Sequence, residues 1–203
     1  MISDTQVKFY EENGYLVIPD ILDEITLGRL RSKVDEMVAA SASLTSNDIL
    51  YDLEDDHSSA LPRVRRLKSP DNHEELFAAL RAQPRVVATL RALWGNGVRY
   101  DKAKLNMKDA GGGAAVEWHQ DWAFYPHTND DLAAVGFMLD DVDLHNGPMM
   151  VLPGSHKGPL FDHHSKGAFC GAIDVQSQGL DPSQAVPLTG KAGSITIHHV
   201  RMV

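Results

Sequence analysis

Residues 117–122 read EWHQDW and lie between a glycine-rich stretch at 111–113 and a series of short hydrophobic segments. His119 and Asp121 are two positions apart at the expected end of a β-strand, where alternate side chains point to the same face. An imidazole nitrogen and a carboxylate oxygen on one face are two of the three ligands of the two-histidine, one-carboxylate site that holds non-haem iron(II). The stretch therefore predicts a metal site at the end of a strand.

This pair is a weak signal when it is taken alone. The chain has ten histidines, and aspartate occupies about one position in ten, so roughly one His-x-Asp is expected by chance. The competing interpretation is a histidine in the core or on the surface beside a solvated aspartate. The sequence around the pair decides between the two interpretations.

The order of predicted elements indicates the fold class. Helices are expected at 5–12, 23–40, 74–82 and 84–94, with a short strand at 15–19 and a polar loop at 41–61. Strands are expected at 98–107, 116–119, 133–139, 149–152 and 194–199. Helices followed by many short strands are typical of a jelly roll with flanking helices. We expect one domain over residues 1–203, with a helical part at about 1–95 and a jelly-roll core at about 96–203.

Composition excludes several classes of protein. The formal net charge of −9 argues against nucleic acid as the main partner, because phosphate binding needs a cationic surface. No apolar run is long enough for a membrane helix, and the N-terminus lacks the basic and apolar pattern of a secretory signal. A single cysteine, Cys170, fits a reducing compartment. We therefore expect a cytoplasmic protein with no membrane partner, and the sequence carries no signal of an oligomeric state.

Further motifs continue the pattern on both sides of residues 117–122. They are GYLVIP at 14–19, FYP at 124–126, NGPM at 146–149 and LPGSHKG at 152–158. With these motifs at this spacing, nearly the whole chain resembles the phytanoyl-CoA dioxygenase family of Fe(II)- and 2-oxoglutarate-dependent oxygenases, most weakly over 41–62. The resemblance implies a mainly β fold with flanking helices, the double-stranded β-helix or cupin-like jelly roll.

The resemblance also implies the cofactors and their residues. His119 and Asp121 would bind Fe(II), with 2-oxoglutarate and O2 as cosubstrates. Family members contact 2-oxoglutarate from the strand that here includes Lys102, Lys104 and Asn106, which share one face by alternation. Phe137 stands where the family places an aromatic side chain beside the cosubstrate. The alternative interpretation is that the lysines are exposed to solvent and contact no cosubstrate. The glycine-rich stretch lacks the Lys-Ser/Thr ending of a phosphate loop.

The implied activity is that of an oxidoreductase, a dioxygenase that hydroxylates a small organic molecule. It would decarboxylate 2-oxoglutarate to succinate and CO2. Aspartate in the metal motif favours hydroxylation, because related halogenases have a small residue there. Two sets of side chains could face the substrate: aromatic and histidine residues after the motif (Trp122, Phe124, Tyr125, His127) and a basic cluster (Arg63, Arg65, Arg66, Lys68). The cluster could equally be a solvated surface.

The resemblance places the third ligand, a histidine, directly after Val203, and the arginine that grips 2-oxoglutarate further on. We therefore expect a chain that lacks the C-terminal strands and has little activity by itself. In the alternative, His198 or His199 is the third ligand, although both sit early and read as strand histidines lining the barrel. Arg201 could likewise replace the arginine. Two competing functions are a non-catalytic cupin-like binding or regulatory domain and a cupin metalloenzyme that does not use 2-oxoglutarate.

Overall fold

The computed structural model describes residues 2–95, 97–108 and 115–203. The glycine-rich stretch at 111–113, expected not to bind phosphate, lies outside these ranges. The chain forms two compact units: Met1–Ile21, Ala92–Trp94 and Val116–Val203 make up the first, and Leu22–Arg91 and Gly95–Ala115 the second. The single-domain organisation with a boundary near residue 95 stays a prediction.

Helices and strands follow one another along the chain in no regular order. The helices are α1 (Asp4–Asn13), α2 (Glu24–Ala40), α3 (Glu75–Ala78) and α4 (Pro84–Trp94). The strands are β1 (Tyr15–Ile18), β2 (Tyr51–Leu53), β3 (Val64–Lys68), β4 (Lys104–Asn106), β5 (Ala133–Phe137), β6 (Met149–Val151), β7 (His164–Ser165), β8 (Ala168–Phe169), β9 (Val186–Leu188) and β10 (Ile195–His199). None of the helices in the described ranges is long and apolar enough to cross a membrane.

The first unit opens with a helix whose two ends are set by its sequence. Ser3 and Gln6 form a capping box at the start of α1, which satisfies backbone N–H groups that have no partner inside the helix. Gly14 ends the helix at φ 82°, a left-handed conformation that glycine adopts without steric cost. The predicted helix at 5–12 and the strand that follows it are both confirmed.

Two sheets build the core of the first unit. Strand β10 lies between β1 and β5 in an antiparallel sheet, and β6 pairs with β9 in a second one. Tyr15 and Val17 of β1 pack against a buried cluster of Val151, Leu188 and Met202. The two sheets therefore meet face to face, as the strands of a jelly roll do.

The second unit combines α2 with the antiparallel sheet β2–β3–β4. Asp23 caps α2 by accepting a hydrogen bond of 2.7 Å from the Thr26 N–H, and the predicted helix at 23–40 is confirmed. Leu67 of β3 is fully buried. The Tyr51 hydroxyl donates to the Met37 carbonyl at 3.0 Å, which ties β2 to the end of α2.

Several predicted boundaries are wrong. The expected loop at 41–61 contains β2, and the expected strand at 98–107 shrinks to β4. The expected strand at 116–119 does not form. Its backbone is used otherwise: the Trp118 carbonyl accepts from the Ile173 N–H at 2.7 Å, and the Gln120 N–H donates to the ring of His163. These scattered contacts replace the continuous ladder that a strand requires.

Candidate metal and cosubstrate site

His119 and Asp121 come together in the first unit, although they are not on a strand. Gln120 between them is extended, with φ −111° and ψ 129°, and Asp121 opens a single 3-10 turn, Asp121–Ala123. An extended residue sends its two neighbours to the same side. His119 Nε2 is accordingly 3.7 Å from Asp121 Oδ1. The expected shared face is therefore present, and one extended residue is enough to produce it.

The His119 ring is oriented by its own backbone. Its Nδ1 lies 2.7 Å from the Glu117 carbonyl oxygen. A carbonyl oxygen only accepts, so Nδ1 carries the proton and, in the neutral ring, Nε2 has the lone pair. Metal-binding histidines are commonly fixed in this way, with one nitrogen donating to a carbonyl and the other turned to the metal.

Asp121 is buried and held through its second oxygen. The Nε2 atom of His198 lies 3.0 Å from Asp121 Oδ2 and donates to it, because an ionised carboxylate only accepts. The Asp121 backbone carbonyl also accepts from the N–H groups of Phe124 and Tyr125. One carboxylate oxygen thus faces His119 and the other faces His198.

The two adjacent histidines of β10 point in opposite directions. His198 reaches Asp121, whereas His199 lies beside His156, with ring centroids 5.2 Å apart. The pKa of His199 is lowered to about 4, mainly by burial and secondly by the nearby His156. Strand alternation therefore separates the two candidates for a third ligand and brings only His198 to the carboxylate.

Gln120 anchors the segment that carries the pair. Its side chain is fully buried, and its amide nitrogen donates to the carbonyls of Pro159 and Arg201 at 3.1 and 2.8 Å. Its amide oxygen accepts from the Phe161 N–H at 2.8 Å, and its backbone N–H donates to His163 Nε2 at 2.8 Å. Three distant parts of the chain are joined at this residue. Nothing in the sequence around Gln120 indicates this role.

Aromatic side chains border His119. The ring of Phe124 meets the His119 ring edge to face at 5.6 Å, and Phe169 of β8 meets Phe124 in the same manner at 5.4 Å. Phe124 and Phe169 nevertheless stay exposed. Gly171 permits this packing, because a Cβ there would lie 2.7 Å from the Phe124 ring. The sequence predicted Phe124 beside the site but not Phe169.

The residues predicted to contact 2-oxoglutarate lie in both units. Lys104 and Asn106 share an exposed face of β4, and Lys102 is exposed just before that strand. Asn106 Oδ1 accepts from Arg66 Nε at 3.0 Å. Phe137 belongs to the first unit, where it pairs with Ile195 and so points to the face opposite His198. The cosubstrate contacts of these residues stay predictions.

The predicted basic cluster is largely matched by acidic neighbours. Lys68 and Arg66 approach Asp52 at 2.9 and 3.7 Å, and Arg63 pairs with Asp56. These contacts support the surface interpretation of the cluster rather than an open anion site.

Arg201 is also held within the protein. Its guanidinium contacts Asp130 at 3.0 Å and the Gly158 carbonyl, and it holds the pKa of the Asp130 carboxyl below its usual range. This arrangement does not favour Arg201 as a substitute for the 2-oxoglutarate arginine.

The donor atoms at this site fit iron(II) in kind. A lone-pair imidazole nitrogen and a carboxylate oxygen are donors that a non-haem iron(II) site uses. Within the ranges that the structure describes, no group of three or more His, Cys, Asp or Glu residues could hold a metal ion. His119 and Asp121 offer two donor atoms of the kinds that such a site uses, and their assignment as ligands stays a prediction.

Comparisons with known proteins identify the family of the chain. The family model for phytanoyl-CoA dioxygenase matches residues 10–203. A probable alpha-ketoglutarate-dependent hypophosphite dioxygenase of Stutzerimonas stutzeri is 35% identical over 97% of this chain and 70% of its own length. The L-proline trans-4-hydroxylase of Streptomyces griseoviridis is 34% identical over 78% of this chain and 57% of its own. The chain therefore spans little more than half the length of the second relative.

Solved structures give the fold. EctD from S. alaskensis, determined with bound Fe, superposes with a TM-score of 0.80 at 23% identity, covering 99% of this chain and 69% of EctD. The predicted mainly β, cupin-like jelly roll is confirmed. The family matched and the relatives named are dioxygenases and a hydroxylase, in agreement with the predicted enzyme class. This chain belongs to the phytanoyl-CoA dioxygenase family.

Proposed function

We propose that this chain oxidises a small organic molecule with 2-oxoglutarate and O2, using Fe(II) bound by His119 and Asp121. The observation that carries the proposal is the convergence of His119 Nε2 and Asp121 Oδ1 at 3.7 Å, with the other His119 nitrogen donating to the Glu117 carbonyl. The lone pair and the negative charge that a metal requires are thereby directed to one place.

Bound iron supplies the redox chemistry that places one oxygen atom in the substrate and one in the succinate left when 2-oxoglutarate loses CO2. The chain's own residues prepare that chemistry. His119 presents a neutral nitrogen, and Asp121 fills the position that halogenases leave to a small residue, which favours hydroxylation. Gln120 keeps the two ligands in place, since every hydrogen bond of its buried side chain goes to fixed backbone.

We assign 2-oxoglutarate contacts to Lys102, Lys104 and Asn106. The aromatic contact of Phe137 is proposed from the family resemblance alone, because Phe137 points to the face of the sheet opposite His198. Support for the first three is chemical. A cation and an amide on one exposed strand face suit a dicarboxylate, and Lys104 and Asn106 alternate on β4 as this requires.

The substrate side is assigned to the aromatic surface beside His119. Phe124 and Phe169 are 42% and 51% exposed and contact each other, so together they form an apolar surface that a substrate can cover. Ectoine and L-proline, named for two relatives, are small organic molecules, and we propose a substrate of that class. The net charge of −9 disfavours nucleic acid, and the single cysteine supports a cytoplasmic location.

The test is succinate formation from 2-oxoglutarate with Fe(II) under air, in the presence of a mixture of small organic acids and amines. We expect succinate, at the low rate of a site with two of three protein ligands, from the wild-type chain and from His145→Ala, which removes an exposed histidine in the 143–147 turn. We expect none from His119→Ala. A product heavier by one oxygen atom would identify the substrate. Equal succinate formation by wild type and His119→Ala would contradict the proposal. Metal binding without any succinate would favour the non-catalytic alternative.

A further inference from the structure

His198 is held on a strand that has little freedom to move. Strand β10 is bonded on both sides, and His198 is paired with Tyr15 of β1 and with Ala134 of β5. Its neighbours Ile197 and Val200 are buried. The side chain therefore starts from a fixed backbone position, which is a requirement for a group that must orient another.

The ring of His198 makes one polar contact that sets its orientation. Nε2 lies 3.0 Å from Asp121 Oδ2, and the two side chains are mostly buried. The other nitrogen, Nδ1, is buried and has no hydrogen-bond partner among the residues that the structure describes. A hydrogen bond to a carboxylate is stronger than one between neutral groups, so this contact fixes ring and carboxylate together.

Two histidines thus approach one carboxylate in opposite tautomers. The Nδ1–H of His119 donates a hydrogen bond to the Glu117 carbonyl, and the lone pair of His119 Nε2 points toward Asp121 Oδ1. His198 carries its proton on Nε2, and this N–H donates a hydrogen bond to Asp121 Oδ2. The carboxylate therefore presents its two oxygens to different chemical partners.

We infer that His198 is a positioning residue, which holds Asp121 by Oδ2 so that Oδ1 is the oxygen offered to the metal beside His119 Nε2. The inference rests on the proposed function, because it takes His119 and Asp121 as metal ligands. It assigns to His198 a role through Asp121 and not in direct contact with the metal. Partners that orient a metal ligand in this way are worth about 10- to 100-fold in metal affinity.

Cobalt(II) is an air-stable probe of this site, and its titration can be followed by calorimetry and by absorption. We expect His198→Phe, which keeps a ring but removes the donor, to weaken binding by about 10- to 100-fold. His198→Gln, which keeps an N–H donor, should recover most of that loss. The absorption spectrum of the saturated His198→Phe variant should match the wild type, because the ligands are unchanged. Thermal unfolding of each metal-free variant separates a folding defect from a loss of affinity.

A second measurement needs no metal. The ring nitrogens of the metal-free chain, observed by 15N NMR, should show a proton on Nε2 of His198 and on Nδ1 of His119. A proton on Nδ1 of His198 would overturn the inference, as would wild-type affinity in His198→Phe. Equal loss in His198→Phe and His198→Gln with a changed spectrum would make His198 a ligand and also overturn it. The proposed function fails separately, if His119→Ala binds cobalt as the wild type does.

Discussion

The 119–121 and 162–164 segments each contain a histidine and an aspartate two residues apart, and only the first has the character of a metal site. In the 119–121 pair, His119 and Asp121 are 24% and 10% exposed, and Nε2 is 3.7 Å from Oδ1. In the 162–164 pair, the side chains of His164 and Asp162 are 52% and 67% exposed, and Nδ1 is 2.7 Å from Oδ1.

The difference lies in what holds each group. His164 and Asp162 satisfy each other directly, and their hydrogen bond is the main reason that the pKa of Asp162 is lowered. His119 and Asp121 are too far apart for a hydrogen bond, and each is held by a third group, the Glu117 carbonyl or His198. A metal ion needs donors that converge without bonding to each other. The spacing in sequence therefore does not define the site, whereas the surrounding structure does.

Substitution of the aspartate in each pair should give the largest difference between the two pairs, and the quantity measured is metal affinity. Asp121→Asn removes the ligand charge, and we expect cobalt(II) affinity to fall by more than the roughly 100-fold upper limit for a lost supporting contact. The matched change Asp162→Asn should leave the affinity within about twofold of wild type. Isothermal titration of both variants measures this, and comparable losses in the two would mean that the pairs do not differ as described.

A second contrast concerns two glutamines, each bonded to backbone. Gln120→Leu would remove three part-buried hydrogen bonds to the backbone of Pro159, Phe161 and Arg201, and each contributes about 0.5–1.5 kcal/mol. Gln178 instead bridges the N–H and carbonyl of Asp162 at a more exposed position. We expect Gln120→Leu to lower the unfolding free energy by about 2–5 kcal/mol and Gln178→Leu by about 1 kcal/mol or less. Chemical denaturation would show the order, and a reversed order would contradict the anchoring role.

Alanine substitutions at two glycines with positive φ, one buried and one exposed, should have smaller effects on stability. A Cβ added at Gly14 (φ +82°) would lie 2.4 Å from His156 Nδ1 and from the Met202 methyl, whereas one at Gly167 (φ +78°), in the β7–β8 turn, would meet open space. Gly167→Ala carries only backbone strain, about 1–2 kcal/mol, or roughly 2–8 °C in melting temperature. Gly14→Ala should lower the melting temperature by clearly more. Equal shifts would mean that the contact at Gly14 is not tight.

The last expected effect is on pH dependence. Burial lowers the pKa of His199 to about 4 from 6.5, so between these values the unfolded chain binds more protons than the folded one. Its contribution to stability is therefore complete above about pH 6.5 and is lost as the pH falls toward 4. His199→Asn, which keeps an acceptor for the Arg201 N–H seen at 3.1 Å, should flatten this slope. An unchanged slope in denaturation curves from pH 7 to 4.5 would contradict the assignment.

Local sequence predicts those elements whose signals are local. Gly14 ends α1, Asp23 caps α2, and a short apolar segment forms β5. Each is a signal within a few residues of sequence, and each element lies within a few residues of its predicted bounds. Strand β3 is missed because its buried residues, Val64 and Leu67, are three apart. That spacing reads as helical, and the irregular register between β2 and β3 accounts for the departure from alternation.

The candidate site divides in the same way. His119 and Asp121 are found because their chemistry and motif lie in six residues. His198 reaches Asp121 from 77 positions along the chain, and its face is decided by the register of β10 between β1 and β5. Gln120 depends likewise on contacts with Pro159, Phe161 and Arg201. A single sequence contains no period or motif that encodes such long-range contacts.

Anomalous diffraction at the iron edge, from crystals of the chain soaked anaerobically with Fe(II), tests the central claim most directly. We predict one strong anomalous peak at coordination distance from His119 Nε2 and Asp121 Oδ1. The hydrogen bond from His198 Nε2 to Asp121 Oδ2 should remain in place. Iron at the 162–164 pair instead, or side chains of His119 and Asp121 directed to opposite sides of an iron-free cavity, would contradict the claim.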